Sequence, residues 1–499
     1  MEKIQKSEKH YLILTYGCQM NVHESEKLAG ILEANGYTSV TDALNADIVV
    51  FNTCAIRENA EEKIFGNLGE LKNIKIANPN MIIAIGGCMS QQKGYAEEIV
   101  KKYPFIDIVF GTHNLAEFEM YLKERLETGK RVSKITEDET IALRDQMEIS
   151  RTSGVNAWVN IMYGCNNFCT YCIVPYVRGR EVSRPKQDIV REVEKLLSQG
   201  YKQITLLGQN VNSYKGVDEN GNAVSFANLL SAIDSFDNYK YRVRFMTSHP
   251  RDLSSETIDV IAKSKHICHG IHLPVQSGSD VVLKTMNRHY DIQRYNSLVS
   301  EIRAKIPDSE LTTDIIVGFP GETEEDFEKT LEVMKFAEYM QIFGFIYSKR
   351  KGTPAEKMEN QVDSKTKKER LSRLLELKNE IINRRTAEMK GKVYEVLVES
   401  YDAGKDLLFG SLDSGKTISF KGSKNCVGEF IMVRVIEVRK SVIYGEIVDE
   451  EATKSFKEKN YLHPIEVSIL PKDQNGMKIL RENKKNKKIE DNKKQNKNS

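Results

Sequence analysis

One short loop reads Gly164-Cys165-Asn166-Asn167-Phe168-Cys169-Thr170-Tyr171-Cys172 and places three cysteines in a Cys-x3-Cys-x2-Cys pattern. A closed structural zinc site takes four ligands, commonly as two separated Cys-x2-Cys pairs. Three thiolates can instead hold a cubane iron–sulfur cluster and leave one iron open to a further ligand. The pattern therefore predicts a 4Fe-4S cluster on Cys165, Cys169 and Cys172. A structural zinc ion or three buried thiols are the alternatives.

A second set of cysteines follows three apolar runs in the first part of the chain. Each run has the composition of a buried strand, and a polar, helix-like segment comes after it. The runs with their cysteines are Tyr11–Cys18, Asp47–Cys54 and Met81–Cys88. Parallel strands would bring the three thiols to the carboxyl edge of one sheet, where open α/β sheets bind ligands. We therefore predict a second three-cysteine cluster, with inert buried thiols as the alternative, and interpret Cys268 and Cys426 as packing residues.

Strands and helices alternate from Trp158 onward. The predicted strands are Ala157–Tyr163, Gln203–Leu207, Arg242–Thr247, His269–Leu273, Leu311–Val317 and Gln341–Tyr347. Ser183 is the predicted N-cap of a helix that ends before Gly200. This alternation predicts a full or partial βα barrel, with functional residues at the carboxyl ends of the strands.

Unusual turns stand at several of those strand ends. They are Gly208–Asn210, Ser248–Pro250, Pro274–Gly278 and Gly318–Glu322. Glycine in such turns lets the backbone approach a ligand closely, although Gly and Pro also punctuate ordinary loops. His249 and His272 are candidate ligand contacts, and for each histidine taken singly a hydrogen-bonded structural role is favoured.

The last third of the chain predicts a helix followed by a small β module. Lys365–Lys390 has an apolar seam typical of a helix, and Gly391–Val448 has alternating, glycine-punctuated stretches typical of a small β-barrel. Such a barrel is either structural or binds nucleic acid. Its candidate phosphate contacts are Lys392, Lys416, Lys421, Lys424, Arg434 and Arg439. The Lys/Asn-rich segment 478–499 is expected to be disordered, serving solubility or adding weak, salt-sensitive affinity for RNA.

The composition is that of an ordinary globular protein. Hydrophobic residues make up 40% and charged residues 29% of the 499 residues, with a net charge of +2. The length predicts about three domains. We find no signal peptide and no apolar stretch near the ~20 residues of a membrane span. We therefore expect a cytoplasmic protein without a membrane segment, in which thiols stay reduced, and we expect a monomer.

These features together resemble the methylthiotransferase family of radical S-adenosylmethionine (SAM) enzymes. The cluster loop is similar to the signature loop of that superfamily, including the aromatic Tyr171 before the last cysteine. The resemblance extends over about Tyr11–Val448, and Lys351 departs from it, standing where proline is common. Four motifs are similar to those of the branch that acts on N6-dimethylallyladenosine in tRNA: Gly17–Glu26, Asn52–Ala60, Leu207–Asn212 and Thr247–Pro250.

The resemblance implies a domain organisation and a set of SAM contacts. It implies an N-terminal parallel-sheet α/β domain at 10–125 with an auxiliary cluster on Cys18, Cys54 and Cys88. A central partial barrel of radical SAM type at 151–384 and a TRAM-type RNA-binding β-barrel at 385–449 would follow. The expected SAM contacts are Tyr171, Gly208, Gln209 and Asn210.

The implied reaction is methylthiolation of C2 of N6-dimethylallyladenosine at position 37 of tRNA. In the family, reductive cleavage of SAM yields a 5′-deoxyadenosyl radical, and a second SAM is the methyl donor. The expected partners are the tRNA anticodon loop and a low-potential electron donor such as a flavodoxin or ferredoxin. The alternative substrates are N6-threonylcarbamoyladenosine in tRNA or an aspartate of ribosomal protein S12. An alternative of another class is an iron–sulfur RNA-binding redox regulator.

Overall fold

The computed structural model describes residues 8–55, 58–136, 147, 149–151, 153–456 and 468–469. The chain divides into two compact units, each considered by itself. The first takes its described residues from 1–152, 176–179 and 463–499, and the second from 153–175 and 180–462. The predicted disordered segment 478–499 lies outside the described residues. No helix in the described part of the chain combines the length and the apolar character that a membrane span requires.

The first unit is a parallel sheet flanked by helices. Its elements are β1 (Lys9–Thr15), α1 (Gln19–Ala34), β2 (Tyr37–Ser39), β3 (Ile48–Thr53), α2 (Glu58–Ala77), β4 (Ile82–Gly87), α3 (Tyr95–Lys102), β5 (Ile108–Phe110), α4 (Phe118–Thr128) and β6 (Val132–Lys134). The strand order is β2-β1-β3-β4-β5-β6, and Ser468–Ile469 also pairs with β1. Every pair is parallel, as the sequence predicts.

The central strand β3 explains why this sheet is buried on both faces. Val49 and Phe51 belong to one apolar cluster, whereas Ile48 and Val50 belong to another. Successive side chains of a strand point to opposite faces, so a continuous apolar run needs a core on each side. The helices that cover the sheet supply those two cores.

The second unit begins with the central barrel. Its elements are β7 (Asn156–Asn160), β8 (Met162–Tyr163), α5 (Val174–Arg178), β9 (Val182–Ser183), α6 (Lys186–Ser198), β10 (Gln203–Leu207), β11 (Lys215–Val217), β12 (Ala223–Ser225), α7 (Phe226–Ile233), β13 (Arg242–Phe245), α8 (Ser255–Lys263), β14 (Gly270–His272), α9 (Asp280–Thr285), α10 (Ile292–Lys305), β15 (Glu310–Val317), α11 (Glu324–Ala337), β16 (Gln341–Ile346) and α12 (Ser364–Ala387). Residues 176–179, which comprise the end of α5 and the residue after it, belong to the first unit.

The main strands of this barrel are parallel and form an open arc. β7, β10 and β13 are neighbours in one sheet, and β14, β15 and β16 in another. A parallel bridge joins Val243 of β13 to Ile267, which precedes β14. The predicted partial barrel is thus confirmed. The predicted N-cap Ser183 is wrong: it lies in β9 and its hydroxyl accepts from the Lys215 amide at 3.0 Å, while Pro185 precedes α6.

The predicted small β-barrel is also confirmed. Its strands are β17 (Val393–Asp402), β18 (Leu407–Ser411), β19 (Thr417–Phe420), β20 (Phe430–Arg439) and β21 (Val442–Ile447), closed in the order β17-β18-β19-β21-β20 and followed by α13 (Glu450–Thr453) and β22 (Ser468–Ile469). Short 3₁₀ helices lie at Ala43–Asn45, Leu115–Glu117, Val211–Ser213, Pro354–Lys357 and Lys424–Cys426.

Among the basic residues proposed for phosphate binding, the protein partners of Lys416, Arg434 and Arg439 can be named. Lys416 donates to the Thr386 hydroxyl at 2.6 Å, and burial lowers its pKa to about 8. Arg434 is paired with Glu446 at 3.2 Å and Arg439 with Glu437 at 2.7 Å. These contacts weaken the prediction for Lys416 most, because Lys416 is half-buried whereas Arg434 and Arg439 are exposed.

A buried ion pair ties α12 to the turn after β15, and Arg370→Met should destabilise the protein. The Arg370 guanidinium lies 2.8 Å from the Glu322 carboxylate, and both side chains are buried. Removing the cation leaves a buried carboxylate, which costs about 3–5 kcal/mol at neutral pH. Burial raises the pKa of Glu322, and loss of the cation raises it further. The folded state then binds the proton more tightly than the unfolded chain, so the cost falls by roughly 1.4 kcal/mol per pH unit as the pH falls from the raised folded pKa towards the unfolded one.

Thermal unfolding of Arg370→Met at pH 7 and pH 5 checks this expectation, with Arg373→Met as its matched control. Arg373 lies on the same helix but pairs with Glu324 and Glu328 at the surface. Exposed pairs contribute ~0–1 kcal/mol, so the control should change little at either pH. An equal loss of stability in Arg370→Met and Arg373→Met would show that the buried charge is not what stabilises this contact, and that the aliphatic part of the arginine side chain is.

Candidate active site

The first cysteine set lies at the carboxyl edge of the N-terminal sheet. Cys18 follows β1, Cys54 follows β3 and Cys88 follows β4, and these three strands are neighbours. Burial raises the pKa of the Cys88 thiol; Arg178 opposes this rise, and the nearby Cys54 and Cys18 add to it. Gly17 has a φ of +120°, and a Cβ there would lie 2.8 Å from the Cys54 sulfur. The three predicted ligands therefore come together, with the backbone of the Gly17 turn against one of them.

Amide side chains fix the strand ends that carry these thiols. The Cys18 thiol donates to Asn21 Oδ1 at 3.3 Å. Asn21 Nδ2 in turn donates to Asn52 Oδ1 at 3.2 Å and to the Thr53 carbonyl at 3.0 Å. α1 begins with Cys18 at its N-cap position. The first turn of α1 is thus bonded to the end of β3, so Cys18 and Cys54 are held on one rigid frame.

Arg178 is the residue of this site that the sequence does not reveal. Its guanidinium donates to both oxygens of Glu24, at 2.6 and 3.1 Å, and to Asn21 Oδ1 at 3.3 Å. It is buried, which by itself lowers its pKa, but the Cys88 and Glu24 charges raise that pKa well above its usual value. A positive charge therefore accompanies the three thiols. Arg178 is far from them in the chain, so no spacing pattern could have indicated it.

The second cysteine set lies in the loop after β8. Cys165 and Cys169 are buried and Cys172 is half-buried. Burial raises the pKa of Cys165 to about 11 and that of Cys172 to about 12, and the neighbouring Cys169 raises both. The structure thus brings all three predicted ligands together within a sheltered loop.

Side chains from later in the barrel hold this loop in place. Asn287 Nδ2 donates to the carbonyls of Asn167 and Phe168 at 3.1 and 3.0 Å. Phe168 has a φ of 45°, which is uncommon for a residue with a side chain. Arg251 donates to Asn167 Oδ1 at 2.7 Å, and the Arg180 guanidinium lies 4.2 Å from the Phe168 ring centroid. A strained loop with this many supports is typical of a binding site.

The donor chemistry of both sets fits an iron–sulfur cluster better than a single metal ion. Among the described residues, no three His, Cys, Asp or Glu side chains converge as ligands of one ion. A cubane cluster does not need that convergence, because each thiolate binds a different iron. Three thiolates per set also leave one iron without a protein ligand, whereas structural zinc sites are closed by four.

The predicted SAM contacts lie at the same end of the barrel strands as the second set. Gly208, Gln209 and Asn210 follow β10, and a Cβ at Gly208 would lie 2.6 Å from Met162 Cγ. Tyr171 packs edge-on against Phe319, with ring centroids 6.3 Å apart. Gly208 thus lies beside Met162, which precedes the cluster loop, and Tyr171 has a packing role.

In this region several buried polar atoms have no protein partner among the described residues. Among the described residues, they include Asn210 Oδ1, both amide atoms of Asn212, Ser248 Oγ and His249 Nε2. These residues follow β10 and β13, which are neighbouring strands. Leaving a buried polar group unsatisfied costs ~1–3 kcal/mol, so such a group usually serves a ligand or an ordered water.

The two candidate histidines differ in the hydrogen bonds that their ring nitrogens make. The Arg251 amide donates to His249 Nδ1 at 3.2 Å, and burial holds the pKa of His249 far below its ordinary value. The ring is therefore neutral, with its proton on Nε2, ready to donate to a ligand. His272 has Thr312 Oγ1 2.8 Å from Nδ1 and Asp314 Oδ2 3.5 Å from Nε2, which supports the structural role.

Profiles of three families match successive parts of the chain. Uncharacterized protein family UPF0004 matches residues 10–111, the Radical SAM superfamily residues 159–334 and the TRAM domain residues 387–448. The solved structure of the radical SAM methyltransferase TsrM from Kitasatospora setae superposes with a TM-score of 0.52 at 14% identity, covering 70% of this chain and 75% of that one. At that identity the likeness concerns the fold alone.

Curated relatives are similar over nearly their whole length. The tRNA-2-methylthio-N(6)-dimethylallyladenosine synthase of Clostridium botulinum (strain Langeland) is 52% identical over 437 residues, covering 87% of this chain and 96% of that protein. The enzyme of the same name from Clostridium perfringens (strain 13) is 50% identical over 443 residues, covering 88% and 98%. The resemblance predicted from the sequence is confirmed. This chain belongs to the tRNA-2-methylthio-N(6)-dimethylallyladenosine synthase family of radical SAM methylthiotransferases.

Proposed function

We propose that this protein methylthiolates C2 of N6-dimethylallyladenosine at position 37 of tRNA, using two 4Fe-4S clusters. The observation that carries the proposal is the pair of separate thiol triads, one on each compact unit. The relatives, named as synthases of the methylthiolated nucleoside, support the same reaction.

The chemistry of the target explains why the site is built from thiols rather than acids and bases. The C2–H of adenine is not acidic and C2 bears no leaving group, so general acid–base catalysis cannot activate it. When bound, the clusters and SAM would supply the one-electron reduction, the radical, the sulfur and the methyl group that the reaction needs. The protein's contribution is to hold each triad, leave one iron open and orient SAM.

Individual residues receive roles from their positions. The cluster that cleaves SAM would be held by Cys165, Cys169 and Cys172. The auxiliary cluster would be held by Cys18, Cys54 and Cys88. Asn210, Asn212, Ser248 and His249 offer unpaired polar atoms for SAM. Gly208 keeps the backbone close to the ligand. SAM would also contact Tyr171 and Gln209.

The partners and the domain limits are part of the same proposal. The β-barrel matched by the TRAM profile would bind the anticodon region of tRNA, and unstacking a base in a single-stranded loop is cheap. A flavodoxin or ferredoxin would deliver the low-potential electron to a cytoplasmic monomer. The domains would span 10–125, 151–384 and 385–449.

The alternative readings are less well supported. The family membership favours dimethylallyladenosine over the threonylcarbamoyl and ribosomal-protein substrates. An iron–sulfur regulator would not need two triads that each leave an iron open, nor the unpaired polar atoms beside the second.

Anaerobic reconstitution followed by turnover on dimethylallyl-modified tRNA tests the proposal. We expect about eight irons per chain, in two cubanes, and the methylthiolated nucleoside by mass spectrometry. Eight irons without that product would overturn the substrate assignment, but the assignment as a radical SAM methylthiotransferase would remain. About four irons would overturn the auxiliary cluster.

His249→Ala should weaken SAM binding about tenfold, because it removes one buried donor worth ~1–1.5 kcal/mol. Isothermal titration of the reconstituted protein with SAM measures the change. His272→Ala is the control, since both of its ring nitrogens already have protein partners. Equal weakening in both variants would show that His249 acts on the fold of the barrel rather than on SAM.

A further inference from the structure

Arg288 is a buried arginine that contacts one cysteine of the second thiol triad. It is 5% exposed. Its Nη1 donates to the Cys169 sulfur at 3.4 Å, its Nη2 to the Pro274 carbonyl at 3.1 Å and its Nε to the Tyr290 hydroxyl at 3.2 Å. One nitrogen therefore faces a predicted cluster ligand while the other two fix the guanidinium plane.

The backbone around Arg288 is shaped to point it inward. The residues on either side, Asn287 and His289, have φ values of 61° and 56°. Left-handed backbone is uncommon for residues with side chains. Two such residues beside one arginine make a strained turn, and strained backbone is typical of functional sites. Asn287 uses this geometry to bind the cluster loop, so one turn both holds the loop and presents the arginine.

The charge of Arg288 is not balanced by a carboxylate of any described residue. In the described part of the chain, no salt bridge joins Arg288 to Asp or Glu, and its hydrogen-bond acceptors are the Cys169 sulfur, the Pro274 carbonyl and the Tyr290 hydroxyl. A buried cation without a counter-charge costs several kcal/mol. Three thiolates more than neutralise an oxidised cubane core, so the bound cluster is anionic and reduction makes it more so. The cluster is thus the missing counter-charge.

We propose that Arg288 is a positioning residue that sets the reduction potential of the cluster on Cys165, Cys169 and Cys172. The inference rests on the proposed function, because that cluster must be there. The fixed, buried guanidinium stabilises the reduced cluster more than the oxidised one, and so makes the electron needed for SAM cleavage easier to deliver. Arg178, at the other triad, differs because Glu24 already balances its charge.

The test is an electron paramagnetic resonance redox titration in the Cys54→Ala background, where one cluster should remain. Arg288→Met should bind the same iron but need a more negative potential, with the ratio of reduced to oxidised cluster at a fixed potential at least tenfold lower. That ratio corresponds to ~59 mV for one electron. Arg288→Lys keeps the charge and should show less than half of that shift.

Arg251→Met is the matched control. Arg251 bonds to the same loop through Asn167, but it is exposed and paired with Asp252 at 2.8 Å. It should shift the potential by less than half of the Arg288→Met shift. A cluster that titrates unchanged in Arg288→Met, or equal shifts in the Met and Lys variants, overturns the inference. Equal loss of iron from Arg288→Met and Arg288→Lys also overturns the inference, because the lysine variant keeps the positive charge. A Cys54→Ala parent without about four irons overturns the proposed function itself, before Arg288 is tested.

Discussion

Cys169→Ala is expected to abolish reductive cleavage of SAM, by at least ~10³-fold, because two thiolates cannot hold a cubane whose third ligand is gone. Cys169 is one of the two buried cysteines of the loop, and its sulfur accepts a hydrogen bond from Arg288. Its loss therefore removes a cluster ligand and leaves the Arg288 guanidinium without its nearest anionic partner. Anaerobic incubation with dithionite and chromatographic measurement of 5′-deoxyadenosine checks the result. The iron content should fall by about half.

Cys268→Ala is the matched control for this substitution. Cys268 is also a buried thiol of the second unit, with its amide bonded to the Val243 carbonyl, but it lies outside both triads. It should keep full iron and full SAM cleavage. If Cys169→Ala still formed 5′-deoxyadenosine at the rate of the control, the loop would not be the site of SAM cleavage.

The two triads could be predicted from the sequence because local patterns place them. A short apolar run predicts a buried strand, and parallel strands end at one sheet edge. Cys18, Cys54 and Cys88 therefore had to lie together once their strands were recognised. Cys165, Cys169 and Cys172 needed only their spacing. In both cases the information lies within a few residues of each thiol.

The charges around the triads could not be predicted, because they depend on contacts between distant parts of the chain. Arg178 reaches Glu24 and Arg288 reaches Cys169, each across more than a hundred residues. A single sequence contains no periodicity that pairs such positions. The unpaired atoms of Asn212 and Ser248 are likewise visible only once the folded neighbours are known. Ser183 shows that a local pattern can also mislead. Serine is a favourable N-cap residue, but Ser183 lies in strand β9.

Cys54→Ala is expected to abolish methylthiolation by at least ~10³-fold while SAM cleavage continues, because only the auxiliary cluster loses a ligand. Alanine keeps the Cβ that packs against Gly17, so the turn between β1 and α1 should remain intact. The iron content should again fall by about half. Measuring 5′-deoxyadenosine and the methylthiolated nucleoside in one reaction separates the two activities. Cys169→Ala, in contrast, should lose both.

Alanine at Cys18 or Cys88 should reproduce this separation, which makes the assignment of the triad stringent. Cys88 is fully buried and Cys18 only half-buried, so a purely structural effect would be larger at Cys88. Ligation predicts equal loss of iron and of product at the two positions, since each thiolate holds one iron of the same cubane. Product formation by Cys18→Ala at the unmodified protein's rate would remove Cys18 from the triad. Unequal stability with equal loss of product would instead support ligation, because burial would then explain only the stability.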